Sequence, residues 1–327
     1  VDQVFILKTI HFRGFGTVLL VVAVCLSMVF LINHLEKEVA FPDENLETAI
    51  RDVIGNPDKP IYYQQLQTIA YLDITGQGIY SLEGLENLKN LIELRADFNY
   101  IKDLTPLSTL KHLRSLSLRG NKITDLQESN FNAVAGLPIK ILDLSKNAAL
   151  SPDFFETRLS DISSLSRLPL LEELYLENND IQDISTIGGL SGLRILNLRS
   201  NKIAALPDLC ALTSLEELDL RENRLSDIDA LRCLVNLKEL NLQSNARITS
   251  IEALENLVNL TRLDLEDIPI GGQLRVIEPL INLSHLDLSN CGLTDISTLE
   301  ALMARGALQD NKEQQGFATL ILRDNPL

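Results

Sequence analysis

Leucine and isoleucine recur along most of the chain at a spacing of mostly 22 or 23 residues. Each copy reads L-x-x-L-x-L-x-x-N-x-I/L and is followed by further leucines three residues apart, as in residues 193–214, LRILNLRSNKIAALPDLCALTS. Eleven copies begin at Ile69, Leu91, Leu113, Ile139, Leu171, Leu193, Leu215, Leu237, Leu260, Leu283 and Phe317. Self-similarity at this period predicts a solenoid, in which each repeat packs against its neighbours.

The apolar spacing inside a repeat changes from two residues to three, which predicts two kinds of element. In an extended L-x-L segment alternate side chains point to opposite faces, so Leu196 and Leu198 point inward and Asn197 points outward. Stacked repeats then form a parallel sheet on one side. The following leucines, spaced by three, are typical of 3₁₀ or short helical turns on the other side. The pattern therefore predicts an α/β solenoid over 69–327, with about eleven repeats, the last incomplete.

An asparagine occupies the same position after most of the predicted strands. We interpret this column as a structural ladder whose amides satisfy backbone groups where the chain leaves the strand, not as a ligand site. Cys291 fills the same position in its own repeat, which gives it a structural role. The ladder comprises Asn99, Asn121, Asn147, Asn179, Asn201, Asn223, Asn245 and Asn325.

The segment before the repeats, residues 41–68, has a helical apolar pattern. Leu46, Ala49, Ile50, Val53 and Ile54 follow the i, i+3, i+4 spacing of an amphipathic helix. A helix here would cover the leucines exposed at the first edge of the solenoid, which terminal repeats require. Residues 41–68 are therefore predicted to be an N-terminal helical cap.

Residues 15–32, FGTVLLVVAVCLSMVFLI, contain no charged side chain. As a helix they would span about 27 Å, close to the thickness of a bilayer's hydrocarbon core. Lys8 and Arg13 precede the run, which favours a cytoplasmic N-terminus at 1–14 and export of everything after residue 35. Residues 33–40 are predicted to be a linker. We expect a retained transmembrane signal-anchor that places the repeat domain on the cell surface or in the periplasm. A cleaved signal peptide remains the alternative.

The formal net charge is −16, and residues 1–40 contribute none of it because three basic and three acidic residues cancel there. Such a surface repels phosphate backbones, so nucleic-acid binding is not expected. The search for chemistry gives no catalytic motif and no metal-ligand spacing, and the four histidines are isolated. We expect no cofactor, no metal and no enzymatic activity. Cys210 and Cys233 fall at nearly equivalent places of neighbouring repeats, where stacking could bring them together, but two free thiols are the favoured expectation.

The outward positions of the predicted strands are the candidate binding surface. An extended polar sheet is how solenoids bind partners, and Phe98 and Tyr175 are its aromatic candidates for hot spots. The expected ligand is a protein, a peptide or a glycan. The candidate ligand-binding residues are Glu93, Arg95, Asp97, Phe98, Arg119, Tyr175, Glu177, Arg199, Glu217, Asp219, Arg221, Glu239, Arg262, Asp264, Glu266, His285 and Asp287.

The 22-residue units with N-x-I-x-D-L, as in residues 121–126, resemble the internalin-like leucine-rich repeats of bacterial surface proteins. The stretch FPDENLETAIRDVIG resembles the helical caps that open many such arrays. The resemblance implies a right-handed leucine-rich-repeat solenoid that binds other proteins through the concave strand face, on the outer side of a bacterial membrane. The sequence stops within a repeat, so we expect a fragment of a longer protein.

Two other functions are compatible with this sequence. The repeats also resemble the regulatory subunit of protein phosphatase 1, which would make the chain an intracellular regulatory scaffold. Alternatively, the repeats are the recognition arm of a larger enzyme whose catalytic domain lies beyond Leu327.

Overall fold

The structure is a computed structural model that describes residues 37–124, 126, 131–150, 156–310 and 317–327. The predicted transmembrane segment at 15–32 lies outside these residues. Within the residues described, no helix is both long enough and apolar enough to cross a membrane.

Eleven strands of three residues each form one parallel sheet, in which neighbours in sequence are neighbours in space apart from one interruption. The central leucine of each strand pairs with the central leucine of the next, as Leu218 does with Leu240. This register confirms the predicted parallel sheet, and each strand begins two residues after a repeat start. The strands are β1 (Tyr71–Asp73), β2 (Glu93–Arg95), β3 (Ser115–Ser117), β4 (Ile141–Asp143), β7 (Glu173–Tyr175), β8 (Ile195–Asn197), β9 (Glu217–Asp219), β10 (Glu239–Asn241), β11 (Arg262–Asp264), β12 (His285–Asp287) and β13 (Thr319–Ile321).

The interruption is an antiparallel hairpin of β5 (Ala148–Leu150) and β6 (Glu156–Arg158), which accounts for the extra length of the repeat that begins at Ile139. The extra length of the repeat that begins at Leu283 holds the helix α3 (Ser297–Ala304). Both insertions leave the sheet continuous, since β4 pairs directly with β7 and β12 with β13.

The leucines spaced by three form short turns on the other side of the core, as predicted. The N–H groups of Leu107, Leu110 and Leu113 each donate to a carbonyl three residues earlier, over 2.9–3.0 Å. Three-residue periodicity turns each of these side chains inward, where they are fully buried. The 3₁₀ helices are Leu85–Asn87, Thr105–Thr109, Ser163–Arg167, Ser185–Gly189, Asp229–Cys233, Glu252–Leu254 and Gly271–Ile277.

The N-terminal cap contains α1 (Glu44–Ile54) and α2 (Tyr63–Leu66). Asp43 caps α1 by accepting two of its first N–H groups at 3.1 Å, and its other carboxylate oxygen accepts the N–H groups of Tyr80 and Ser81 at 2.7 and 3.0 Å. Burial alone would raise the pKa of Asp43, but these backbone donors outweigh it and lower the pKa. One carboxylate thus fastens the cap to the first repeat.

The apolar side of α1 is narrower than the sequence pattern suggested. Leu46 and Ile50 are fully buried against the solenoid, whereas Val53 is 49% exposed. Ile54, one residue further along the helix, packs against the core, so Val53 lies at the edge of the apolar side.

Candidate ligand-binding face

The predicted asparagine column is turned into the core, and Asn223 illustrates its contacts. Its Nδ2 donates to the carbonyl oxygens of Leu198 and Leu220 at 3.0 and 2.9 Å, and its Oδ1 accepts the N–H of Ile203 at 3.1 Å. The amide therefore joins the turn of one repeat to the strand of the repeat before it. Equivalent Nδ2 bonds are made by Asn99, Asn121, Asn147, Asn179, Asn201, Asn245 and Asn325.

A second asparagine column on the flank of the solenoid was missed from the sequence. Asn90, Asn236, Asn259 and Asn282 each stand one residue before a repeat start. Asn90 donates its amide to a carbonyl of the cap, and the other three donate to a carbonyl of the preceding repeat, all at 2.8–2.9 Å. The signal was present in the sequence, since the asparagine recurs at a fixed position. These amides lie near the surface of the flank. They join neighbouring repeats there and leave the outward side chains of the strands unaffected.

With both columns occupied by backbone contacts, the outward strand residues form a separate surface. We call this surface the sheet face and define it as the outward side chains of the eleven parallel strands together with the second residue after each strand. The strand register arranges the predicted residues in three rows. The first row has Glu93, Glu217, Glu239, Arg262 and His285, the second has Arg95, Tyr175, Asp219, Asp264 and Asp287, and the third has Asp97, Arg119, Glu177, Arg199, Arg221 and Glu266.

A hollow of about 260 Å³ opens in the middle of the sheet face, between β7 and β11. Seven predicted residues line it, together with Asn197 and Asn241, which the candidate set omitted. The predicted residues in its lining are Tyr175, Glu217, Asp219, Arg221, Glu239, Arg262 and Asp264. The other ten candidates lie elsewhere: four are on strands toward either end of the sheet, namely Glu93, Arg95, His285 and Asp287, and six lie just after strands.

Several charged side chains of the sheet face pair with one another. Arg221 contacts Asp219 of its own repeat at 2.6 Å, and Arg199 contacts Glu222 of the next repeat at 2.6 Å. Arg119 reaches over the intervening strand to Glu177, at 3.5 Å. Exposed pairs of this kind contribute about 0–1 kcal/mol each. They hold long side chains in place more than they stabilise the fold.

Glu217 and Glu239 are not paired in this way: they are neighbours in register, and neither lies within 4 Å of a basic group in the part of the chain described. Partial desolvation, followed by the charges of Glu239 and Glu173, raises the pKa of Glu217 above its ordinary value. The pKa of Tyr175 is also raised, first by burial and then by the hydrogen bond that its hydroxyl donates to Glu173 at 2.9 Å. Four carboxylates and two guanidinium groups line the hollow, so the centre of the face carries an excess of negative charge.

Farther along the face, the carboxylates of Asp264, Glu266 and Asp287 lie within 4.8 Å of one another. Burial is the largest cause of the raised pKa of both Asp264 and Glu266, and the neighbouring charges add to it. Oxygen donors of this kind could ligate a divalent cation. Acidic groups often cluster on a protein without an ion, so we assign none here.

Two candidates are turned away from solvent. Asp97 is 7% exposed, and its Oδ1 accepts the Ser117 hydroxyl at 2.5 Å and the Arg119 N–H at 3.0 Å. Asp287 is 9% exposed and accepts two bonds from Ser289. Both carboxylates are engaged within the fold and leave little surface to a ligand.

Aromatic side chains cluster at the N-terminal end of the array. Phe98 is 56% exposed and has a left-handed backbone (φ 54°), with its ring over Gly120. Tyr80 and Tyr100 stack at 4.7 Å between ring centroids, and the Lys122 ammonium lies 4.6 Å from the Tyr100 ring. The tyrosine pair was missed from the sequence because its members occupy different positions in their repeats.

The expectation of two free thiols is wrong, because Cys210 and Cys233 form a disulfide between neighbouring repeats, with their Cα atoms 5.2 Å apart. Stacking of repeats brings the two positions together even though they differ by one place in the repeat. Cys291 is a buried free thiol whose Sγ approaches the carbonyl oxygen of Leu265 at 3.1 Å, in the place of a ladder asparagine.

Comparison with known proteins identifies the repeats directly. The family model "Leucine Rich repeats (2 copies)" matches residues 89–138, 169–211, 191–233, 213–256 and 235–280, and the model "Leucine Rich Repeat" matches 282–302. Among curated proteins, human leucine-rich repeat-containing protein 56 is 41% identical over 54 residues, which is 16% of this chain and 10% of that protein. The chain thus spans about a tenth of the length of that relative.

Two solved bacterial structures are similar over most of the repeat array. Internalin C2 of Listeria monocytogenes is 35% identical with a TM-score of 0.60, and the match covers 69% of this chain and 94% of that one. A leucine-rich-repeat protein of Leptospira interrogans is 25% identical with a TM-score of 0.63, covering 74% of this chain and 60% of that one. The repeats, the cap and the near-complete coverage of internalin C2 show that this chain belongs to the internalin-like leucine-rich-repeat proteins.

Proposed function

We propose that this protein is a non-enzymatic binding module that holds a protein, peptide or glycan partner on its sheet face, which is the concave side of such a solenoid. The observation that carries this proposal is the hollow between β7 and β11, where seven candidate residues converge. Leucine-rich repeats form a protein-interaction scaffold, and the sheet face is the surface that each repeat extends by one strand.

The sheet face suits binding because its backbone is fixed before any partner arrives. The buried ladder amides hold most strand ends, so outward side chains lie on a fixed frame and little order is lost on association. Tyr175 offers a half-buried aromatic ring whose hydroxyl is already bonded to Glu173. Aromatic side chains in such settings are enriched among binding hot spots.

We further propose that the repeat domain functions outside the bacterial membrane, behind the predicted anchor at 15–32. The disulfide between Cys210 and Cys233 supports this location, because disulfides persist in oxidising compartments and are rare in the cytosol. The relationship to internalin C2 of a bacterium agrees with it.

The sheet-face assignment is tested by selecting binders to the full chain from a displayed library of random peptides and measuring them against two variants. Tyr175→Ala alters the hollow, whereas Tyr80→Ala removes an exposed tyrosine away from the sheet face and serves as the matched control. We expect Tyr175→Ala to weaken most selected binders by about tenfold or more, as for a hot spot. Equal effects of the two substitutions would refute the assignment.

The location is tested separately, by treating intact bacteria that express the full chain with a membrane-impermeant amine reagent. Lysines of the repeat domain should be labelled without lysis. Labelling that appears only after lysis would instead favour the intracellular regulatory scaffold.

A further inference from the structure

We infer that the partner of this face is a basic peptide segment that places one arginine or lysine side chain in the hollow, between Tyr175 and the carboxylates of Glu217 and Glu239. The inference rests on the proposed function, because it names the kind of partner that the same face would take. Three properties of the hollow support it: its charge, its size and its aromatic wall.

The chain compensates the negative charge of the hollow only in part: four carboxylates and two guanidinium groups line it, and one of these, Arg221, is paired with Asp219. Glu217 and Glu239 start neighbouring strands, which in a sheet lie about 4.8 Å apart, so their negative charges repel one another. Arg262, on the next strand, is the basic residue in register with Glu239. Its guanidinium nevertheless makes no ion pair with Glu239 in the part of the chain described.

Basic groups of the same repeats are bound elsewhere. On the flank beside the sheet face, Glu216 accepts Arg194 and Lys238, each at 3.1 Å. Both basic groups therefore form their ion pairs with Glu216, and the charge of Arg194 only partly offsets the rise in the pKa of Glu217. A cation supplied by a partner would relieve the repulsion between Glu217 and Glu239 and gain charge-assisted hydrogen bonds from both.

The size and walls of the hollow fit one long cationic side chain. At about 260 Å³ it is smaller than the roughly 300–1,000 Å³ that drug-sized ligands occupy. The Tyr175 ring forms one wall, and its hydroxyl is fixed by the bond to Glu173 at 2.9 Å. An ammonium or guanidinium group is attracted to the face of such a ring as well as to the carboxylates.

Charge alone could attract any polycation to a chain with a net charge of −16, so the experiment needs variants of equal charge. The first is Glu217→Gln with Glu239→Gln, which neutralises the hollow. The control is Glu252→Gln with Glu255→Gln, which removes two exposed carboxylates from a 3₁₀ turn on the opposite side of the core. Both changes add two units of charge and retain the shape of the side chains.

The probe is a fluorescein-labelled peptide with the sequence Gly-Ser-Arg-Ser-Gly-Arg-Ser-Gly, titrated with the full chain at about 0.15 M salt, where distant surface charges are screened. A second peptide carries glutamate in place of both arginines. We expect the hollow variant to weaken binding of the arginine peptide by at least about tenfold, as the loss of charge-assisted bonds predicts, and the control by less than about twofold. The glutamate peptide should not bind.

Equal loss of affinity in both variants would show non-specific attraction and overturn the inference, as would the absence of binding by the arginine peptide. Thermal unfolding of each variant verifies that both remain folded. The result is separable from the proposed function. If the library selection yields peptides that depend on Tyr175 but carry no basic residue, the cationic partner is wrong while the sheet-face function stands.

Discussion

Replacing Asn223 by alanine is the sharpest test of how the solenoid is held together. The carbonyls of Leu198 and Leu220 would keep one bond each, because Asn201 and Asn245 also donate to them. The N–H of Ile203 would lose its bond to the Asn223 amide oxygen, at 3.1 Å, and would be left buried. The substitution therefore orphans one backbone group and halves the bonding of two others.

The expected cost follows from that count. A buried unsatisfied N–H costs about 1–3 kcal/mol, and each lost carbonyl bond costs about 0.5–1.5 kcal/mol, so Asn223→Ala should lower the free energy of unfolding by about 2–6 kcal/mol. The matched control is Asn236→Ala on the flank. Its amide donates one bond, to the Thr213 carbonyl at 2.8 Å, and it is exposed, so water can replace it at a cost of about 1 kcal/mol or less.

Urea unfolding followed by circular dichroism measures the difference. Since long repeat arrays can unfold in parts, hydrogen exchange provides a local measurement, and the Ile203 amide should lose protection in the Asn223 variant only. If Asn223→Ala costs no more than Asn236→Ala, or if Ile203 stays protected, the interpretation of the asparagines as backbone satisfiers is wrong.

Three further predictions address the disulfide, the acidic hollow and the aromatic edge. Replacing Cys210 and Cys233 by serine should lower the free energy of unfolding by about 3 kcal/mol, as expected for a bridge across 23 residues. Reductant should have no further effect on the stability of this variant. Equal stability of the variant and the original protein would contradict a stabilising disulfide. The pKa of Glu217 is raised in the folded state, so its ionisation opposes folding and Glu217→Gln should raise the melting temperature at neutral pH. This gain should vanish below the unfolded pKa of about 4.5, where the carboxyl is protonated in both states. A gain that persists at acidic pH would exclude the electrostatic cause. Gly120→Ala should destabilise the folded protein by about 1–2 kcal/mol in thermal unfolding, because φ is 67° and the new Cβ would come within 2.6 Å of the Phe98 ring. An unchanged melting temperature would show that the ring moves aside freely.

The proposed binding face and the stability of the fold are linked through the same strands. Each strand has only three residues, so its outward side chains depend on the ladder amides that hold its end. The Glu217 carboxylate opposes folding slightly, and the hydrogen bonds of the ladder amides to the strands offset that cost. A locally unfavourable charge is expected at functional sites, where other parts of the fold offset its cost.

The sequence by itself determined the solenoid, because period alone decides which side chains are buried. A spacing of two residues directs Leu196 and Leu198 into the core, and a spacing of three residues directs the later leucines inward. Both hold whatever residues stand between the leucines. The ladder positions followed for the same reason, since a fixed place in the repeat becomes a fixed place in the stack.

Only the tertiary structure decided which charged and reactive groups meet. Arg221 bonds Asp219 of its own repeat, whereas Arg119 passes Ser145 to reach Glu177, and the repeat pattern is the same in both cases. Long side chains can reach several neighbours at similar cost, so their choice depends on rotamers and on the size of the residue between them. The same holds for the disulfide and for the unpaired glutamates of the hollow, because contacts between repeats depend on how closely the repeats stack, which the period does not specify.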